Sequence, residues 1–402
     1  MCHCPSCVHP TTRQKLYSTA DIPTSIKPRS VHVSESSITL TWKNDVPGFD
    51  YEHSTVFQTD DLKTLSKTGA LPGPFAQALP SQVLWDSASA DIEDTSFDDY
   101  MANDAALLRV LKQLRNHGLV FVTDIPDDEH AMSQIATRMG PMKDTFYGRT
   151  WDVRTVPSAI NAAYTSSDLG FHTDLLYFQD PPHIQLLHCI QSSSAGGASV
   201  FSDAFKSASD LLSIDADAFD CLASLPVNYQ YCHPGDNLYH TTKRVFETRE
   251  LRIGDTTFSN ITAYMLAWKD QELSGQPLHH LTLAECLEKI NWGPPFMAPF
   301  SLAEHSQRPG FGVSSPHKVL NRKIEKWHHA AQKFSQLLQS KENLYERLMK
   351  PGECVLFDNT RVLHARRGFE EEDAGKPRWL KGGYVDKDPY FSKLRVLQSQ
   401  CD

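Results

Sequence analysis

No stretch of the 402-residue chain approaches the roughly 20 consecutive apolar residues that a bilayer crossing requires, and the first residues lack the basic-then-apolar pattern of a secretory signal. A cytoplasmic protein is expected. Dense basic blocks are missing too: Lys and Arg number 39 against 49 Asp and Glu, for a formal charge of −10. That balance argues against nucleic acid or an anionic membrane as partner and leaves a small molecule as the expected ligand. Nor do the nine cysteines form the evenly spaced framework of a small disulfide-stapled domain, since three cluster at Cys2, Cys4 and Cys7 and six scatter. Reduced thiols are expected. With 40% hydrophobic residues the chain can bury one large core or two smaller ones, and two domains are expected.

The chemistry centres on Phe171-His172-Thr173-Asp174. An imidazole and a carboxylate two residues apart on a strand lie on one face. They can give two ligands to one metal, and a second histidine would complete the facial triad of non-haem Fe(II) oxygenases. Alone, the pattern also fits a solvated loop pair. The run from Phe357 to Arg367 supplies a second histidine, His364, at the end of a strand-like segment. Fourteen residues on, Arg378 opens another such run, ending at Asp386. In a double-stranded β-helix that arginine can point inward beside the metal and hold the far carboxylate of 2-oxoglutarate through paired hydrogen bonds.

At the other end, Cys2-His3-Cys4-Pro5-Ser6-Cys7 places three thiols within six residues, a density that costs charge repulsion unless a soft cation binds them. A fourth ligand is needed, and His3 and His9 are competitors for that place. Alternation at Val31 and Val33, then Ile38, Leu40 and Trp42, predicts two strands. Residues 60–95, rich in Ser, Asp and Pro, read as a linker. From Asn103-Asp104 to His117 the leucines fall at helical spacing, with Gly118 as the stop. A buried strand over Leu119 to Val122 and a helix over His130 to Met139 follow. Further expected elements are a strand over His183 to Ile190, a turn at Ala195-Gly196-Gly197, a returning strand over Ala198 to Phe201, and helices over Phe205 to Leu225 and Lys318 to Met349. His188 reads as a sheet histidine rather than a ligand.

Over nearly its whole length the chain resembles the 2-oxoglutarate- and iron-dependent, TauD-like family of γ-butyrobetaine and trimethyllysine dioxygenases. The matching runs are Thr145-Phe146-Tyr147-Gly148 with Trp151, Ala163-Tyr164-Thr165, Phe171 to Asp174, His183 to Cys189, Phe357 to Arg367 and Arg378 to Tyr384. The resemblance implies a mainly β fold with flanking helices. A double-stranded β-helix (jelly-roll) catalytic domain at 96–402 would follow a small zinc-binding β domain and linker at 1–95. It implies Fe(II) on His172, Asp174 and His364, and 2-oxoglutarate on Arg378 with Ser199 nearby. It also implies a structural zinc on Cys2, Cys4, Cys7 and His53. The implied reaction hydroxylates γ-butyrobetaine to carnitine, a step of carnitine biosynthesis, consuming O₂ and releasing succinate and CO₂, with ascorbate supporting activity.

Tyr147, Trp151, Tyr164 and Tyr384 would cage the trimethylammonium group of a trimethylammonium carboxylate, which has no donor hydrogen and is recognised by aromatic faces. Asn161 stands where the family's γ-butyrobetaine branch has Asn and its trimethyllysine branch has Asp, which tilts the reading to γ-butyrobetaine. Trimethyllysine, another quaternary ammonium or a specialised metabolite are the alternatives within the class. A metal-dependent binding or sensing module without turnover is the alternative outside it. The resemblance weakens over 265–317, where Asn291-Trp292-Gly293-Pro294-Pro295-Phe296 replaces the animal enzymes' Asn-rich run, and a lid or binding loop is expected there. No nucleic-acid or membrane partner is expected. The oligomeric state is left open, a homodimer among the options.

Overall fold

The alternation at Val31 to Trp42 forms the two strands it predicts in the computed structural model, which describes residues 2–68, 79–154, 165–192, 196–273, 282–301, 316–369 and 378–401. Lys27–Val33 and Ser37–Lys43 pair antiparallel, with Val31 opposite Leu40. A third strand, Ser54–Gln58, adds to the second and is anchored where the Trp42 indole N–H donates to Thr55 Oγ1 at 2.9 Å. These strands and the helix Thr59–Thr68 belong to a first compact unit, Met1–Ala78, and the rest of the chain to a second, Leu79–Asp402.

The second unit therefore starts earlier than the expected boundary at 96, and the linker reading of 60–95 is corrected at both ends. The start of the 60–95 stretch belongs to the helix Thr59–Thr68 of the first unit. Further on, Trp85 is fully buried, its indole N–H donating to His117 O at 2.6 Å and its backbone N–H to Asp203 Oδ2 at 3.1 Å. An indole buries on the order of 150–250 Å², so one such anchor ties down an otherwise polar stretch.

Two sheets build the second unit. The larger runs in the order Asp94–Ser96, Leu119–Thr123, Glu353–Asp358, Ile184–Gln191, Trp379–Val385, Thr150–Arg154, antiparallel except for its first pair. The smaller runs Tyr345–Arg347, Ser199–Asp203, Val362–Arg366, Leu169–His172 and is antiparallel throughout. Phe201 of the smaller sheet meets Phe121 and Phe357 of the larger edge-on, at centroid distances of 6.2 and 5.5 Å, so the sheets face each other across one core. This agrees with a jelly-roll.

The Leu119–Thr123 strand shows why both faces of the larger sheet are apolar. Leu119 and Phe121 enter the core between the sheets, while Val120 and Val122 pack with Leu107, Leu111 and Leu114 of the helix Asp104–Asn116 on the outer face. Gly118 ends that helix with φ +74°, and a Cβ there would come within 2.8 Å of Val362. Only glycine satisfies both conditions without strain.

Three expectations change. Ile184–Gln191 and Ser199–Asp203 are not hairpin partners: each is paired to other strands, one in either sheet. The helix over Phe205 to Leu225 is two, Ala204–Ile214 and Ala216–Ser224, because the Asp215 side chain accepts from Ala218 N–H and caps the second. The helix Pro316–Gln339 stops well before Met349, and Tyr345–Arg347 pairs instead with the strand Ser199–Asp203. Among the described residues no helix is long and apolar enough to cross a membrane.

Candidate active site

His172 closes the strand Leu169–His172 and His364 sits within Val362–Arg366; the two are Cα partners in one antiparallel pair, and their ring centroids are 4.3 Å apart. Residues directly opposite in such a pair project to the same face. The Nδ1 of His172 lies 2.9 Å from Gly170 O, a pure acceptor, so Nδ1 carries the proton and Nε2 is left as an electron-pair donor. That Nε2 is 3.1 Å from Asp174 Oδ1, and His364 Nε2 is 3.9 Å from the same oxygen.

Asp174 does not arrive by strand alternation as expected. The strand stops at His172, and Asp174 stands in a turn whose next residue, Leu175, has φ +52°. A left-handed leucine costs roughly 1–2 kcal/mol and persists only where its surroundings fix it. Four hydrogen bonds do so. Thr173 N–H donates to Trp292 O at 2.7 Å and Thr173 Oγ1 to Ile290 O at 3.2 Å. The fully buried Asn359 accepts from Asp174 N–H at 2.8 Å and donates to Asp174 O at 3.2 Å.

Burial alone would raise the Asp174 pKa, but its contact with His172 first, then its nearness to His364 and the Tyr384 hydroxyl, hold it well below the ordinary carboxylate range. His364 is pushed down to about 3, first by burial and then by His172. At neutral pH the ligand set therefore includes an anionic carboxylate and a neutral imidazole, and one donor atom from each of the three residues lies within 4.8 Å of the others. Two nitrogens and one carboxylate oxygen on one face fit a facially bound Fe(II).

A cavity of about 390 Å³ opens onto these residues. Arg378, Ser199, Tyr147, Trp151 and Tyr384 all line it, as does Arg366. Arg378 is 8% exposed, and among the described residues its one hydrogen bond is a long contact of 3.5 Å to Gly197 O. Burial and then neighbouring Arg366 bring its pKa down to about 10, which leaves it charged and able to receive a carboxylate. The hydroxyl of Ser199 is turned to Met349 Sδ at 3.7 Å. Asn161 and Tyr164 lie outside the described residues.

Trp151 and Tyr384 stack with centroids 4.2 Å apart, so one face of each ring is already covered. Sequence reasoning missed Tyr177 and Tyr231, which with Phe296 of the expected binding loop extend the aromatic wall. Tyr177 stacks on Tyr231 at 4.9 Å and meets Phe296 edge-on at 5.2 Å. Gln185, another lining residue, donates to Asp174 Oδ2 at 2.6 Å. It stands in a run that matched the resemblance, which was the available signal. The stretch over 265–317 contributes through Pro295, Phe296 and Met297 to the cavity wall.

In the first unit Cys2, Cys4, Cys7 and His53 bring one donor atom each within 4.8 Å of one another. Backbone N–H groups of Cys7 and Val8 donate to Cys4 O, closing a turn that points the sulfurs together. His53 Nε2 lies 3.5 Å from Cys4 Sγ and 3.2 Å from Cys7 Sγ, while its Nδ1 is held by Asp45 Oδ2 at 2.6 Å. Carboxylate support on the far nitrogen is how metal-bound histidines are oriented. Asp45 was not anticipated. His188 is buried on the Ile184–Gln191 strand and does not line the cavity.

Comparison with known proteins gives this geometry its family. The chain is 32% identical to "Dioxygenase str8" of Strobilurus tenacellus over 99% of this chain and 83% of that one. It is 25% identical to mitochondrial trimethyllysine dioxygenase of Mus musculus, covering 98% and 80%, and 27% identical to γ-butyrobetaine dioxygenase of Pongo abelii, covering 100% and 90%. Residues 79–384 match the family described as taurine catabolism dioxygenase TauD, TfdA, so the chain belongs to that family and is an Fe(II)- and 2-oxoglutarate-dependent dioxygenase.

Proposed function

We propose that the enzyme hydroxylates an unactivated C–H bond of a small trimethylammonium carboxylate, with γ-butyrobetaine as the substrate and carnitine as the product. The observation that carries this reading is the cavity lining, which includes Tyr147, Trp151, Tyr177, Tyr231 and Phe296, with Asp174 the sole acidic residue among the described lining. A quaternary ammonium needs ring faces rather than a hydrogen-bond acceptor, each worth roughly 0.5–2 kcal/mol. Trimethyllysine carries a further α-ammonium that calls for a counter-charge, and leaving it unpaired costs about 1–3 kcal/mol.

His172, Asp174 and His364 would hold Fe(II), and Arg378, beside Ser199, the far carboxylate of 2-oxoglutarate. The bound metal and co-substrate supply the oxidising power, with release of succinate and CO₂. The chain's own part is to bind and orient: the aromatic wall fixes the ammonium, which sets one carbon at the reacting position, and the buried walls keep water away. In the first unit, Cys2, Cys4, Cys7 and His53 would bind a structural zinc, closed by four protein ligands.

A second reading, hydroxylation of an uncharged specialised metabolite, is favoured by Pro295, Phe296 and Met297, which stand in the stretch where the resemblance to the betaine enzymes weakens. Incubation with γ-butyrobetaine, 2-oxoglutarate and Fe(II), followed by mass spectrometry, tests the first reading. A product heavier by one oxygen and identical to carnitine supports it. No substrate-dependent succinate with γ-butyrobetaine, but turnover of an uncharged substrate, favours the second.

A further inference from the structure

Asp174 Oδ2 accepts two hydrogen bonds, from Gln185 Nε2 at 2.6 Å and from the Tyr384 hydroxyl at 2.8 Å. Gln185 and Tyr384 are Cα partners on the adjacent strands Ile184–Gln191 and Trp379–Val385, and both are buried. The two donors thus come from the larger sheet, whereas the two histidines stand on the smaller one, and the carboxylate bridges the sheets. A carboxylate oxygen has about two lone-pair positions, so two donors leave Oδ2 little to offer a cation. Oδ1, facing both imidazole Nε2 atoms at 3.1 and 3.9 Å, stays open.

We infer that Gln185 and Tyr384 are positioning residues that commit Asp174 to bind the metal through Oδ1 alone. Two-oxygen ligation would consume one more coordination position, and the lock on Oδ2 keeps that position for co-substrate and O₂. Tyr384 also ties this lock to the substrate wall. Its ring lies against Trp151 with planes 27° apart, and Trp151 is opposite Gly382, where a Cβ would come within 2.4 Å of the indole. The bare Gly382 lets the indole lie down beside Tyr384, so a ligand pressing on Trp151 acts on the residue that holds Asp174. The inference rests on the assignment of the metal to His172, Asp174 and His364 and is independent of the substrate.

The test titrates metal-free protein with Mn(II), followed by the electron paramagnetic resonance of the free ion, and records the visible spectrum of the Co(II)-loaded protein. Outer partners of metal ligands typically contribute 10–100-fold in affinity. Gln185→Leu and Tyr384→Phe should each weaken Mn(II) binding by about tenfold or more and alter the Co(II) spectrum, while the far-ultraviolet circular dichroism of the metal-free protein is retained. Tyr384→Phe keeps the ring and its stack on Trp151, and it decides the matter should Gln185→Leu fail to fold. Affinity within about twofold of wild type together with an unchanged Co(II) spectrum in Tyr384→Phe overturns the inference. His172→Ala serves as the control: undiminished Mn(II) binding there would remove the metal site itself, a different failure.

Discussion

His172 and His364 stand directly opposite each other on the two strands at one edge of the smaller sheet, 192 residues apart in sequence (364 − 172), with ring centroids 4.3 Å apart. Each is one third of the protein's hold on the metal. His172→Ala, Asp174→Ala or His364→Ala should abolish Fe(II)-dependent succinate formation while the metal-free protein stays folded by circular dichroism. Near-normal turnover in any one of the three variants would break the triad.

Arg378→Ala should raise the KM for 2-oxoglutarate by about 10–100-fold with a smaller effect on kcat, since charged hydrogen bonds contribute roughly 1.5–3 kcal/mol. Steady-state kinetics at saturating substrate makes the separation. An unchanged KM would hand the carboxylate to another cation, for which Arg366, also in the lining, is the candidate.

About one zinc per chain should survive chelation that strips the iron. Cys4→Ser should lower the melting temperature of the protein more than it lowers kcat, because a closed four-ligand site contributes folding energy rather than chemistry. Elemental analysis of protein purified without added metal checks the stoichiometry, and absence of zinc contradicts the assignment.

His188 gives a pH dependence. Burial first, and then the charge of Lys381, lower its pKa from the ordinary 6.5 to about 4. The folded-state value lies below the unfolded one, so the unfolded chain binds the proton more readily in between. The stability is fully present above about pH 6.5 and is lost as pH falls towards 4. Denaturant midpoints measured from pH 7 to pH 4 should fall in the wild type and fall less steeply in His188→Gln. Identical slopes would show that other groups control the acid limb.

What was legible in the sequence was legible because it is local. His172-x-Asp174 and the clustered thiols are short spacings, and the strands follow from alternation, whereas joining His364 and Arg378 to that pair across the chain rested on the family resemblance. What was not legible depends on chain segments that meet only in the fold. The Tyr384 to Asp174 bond joins residues 210 apart, and the Asn359 clamp on the Asp174 backbone joins residues 185 apart, so no window of sequence contains either. The linker reading failed for a related reason: composition averages over 60–95, whereas a single Trp85 decides where that polar segment goes. The strand rule applied to His172 and Asp174 expected two side chains on one face, and the structure does bring them together, but through the turn at Leu175 rather than through strand alternation.

The most direct test of the account is the ratio of kcat/KM for γ-butyrobetaine over trimethyllysine, measured by succinate release, alongside the neutral carbon isostere of γ-butyrobetaine. The account predicts a ratio of at least about tenfold, or ~1.4 kcal/mol in transition-state terms. It also predicts much weaker turnover of the isostere, because the wall attracts charge as well as area. Trimethyllysine as the better substrate, or an isostere turned over as well as the betaine, would contradict it.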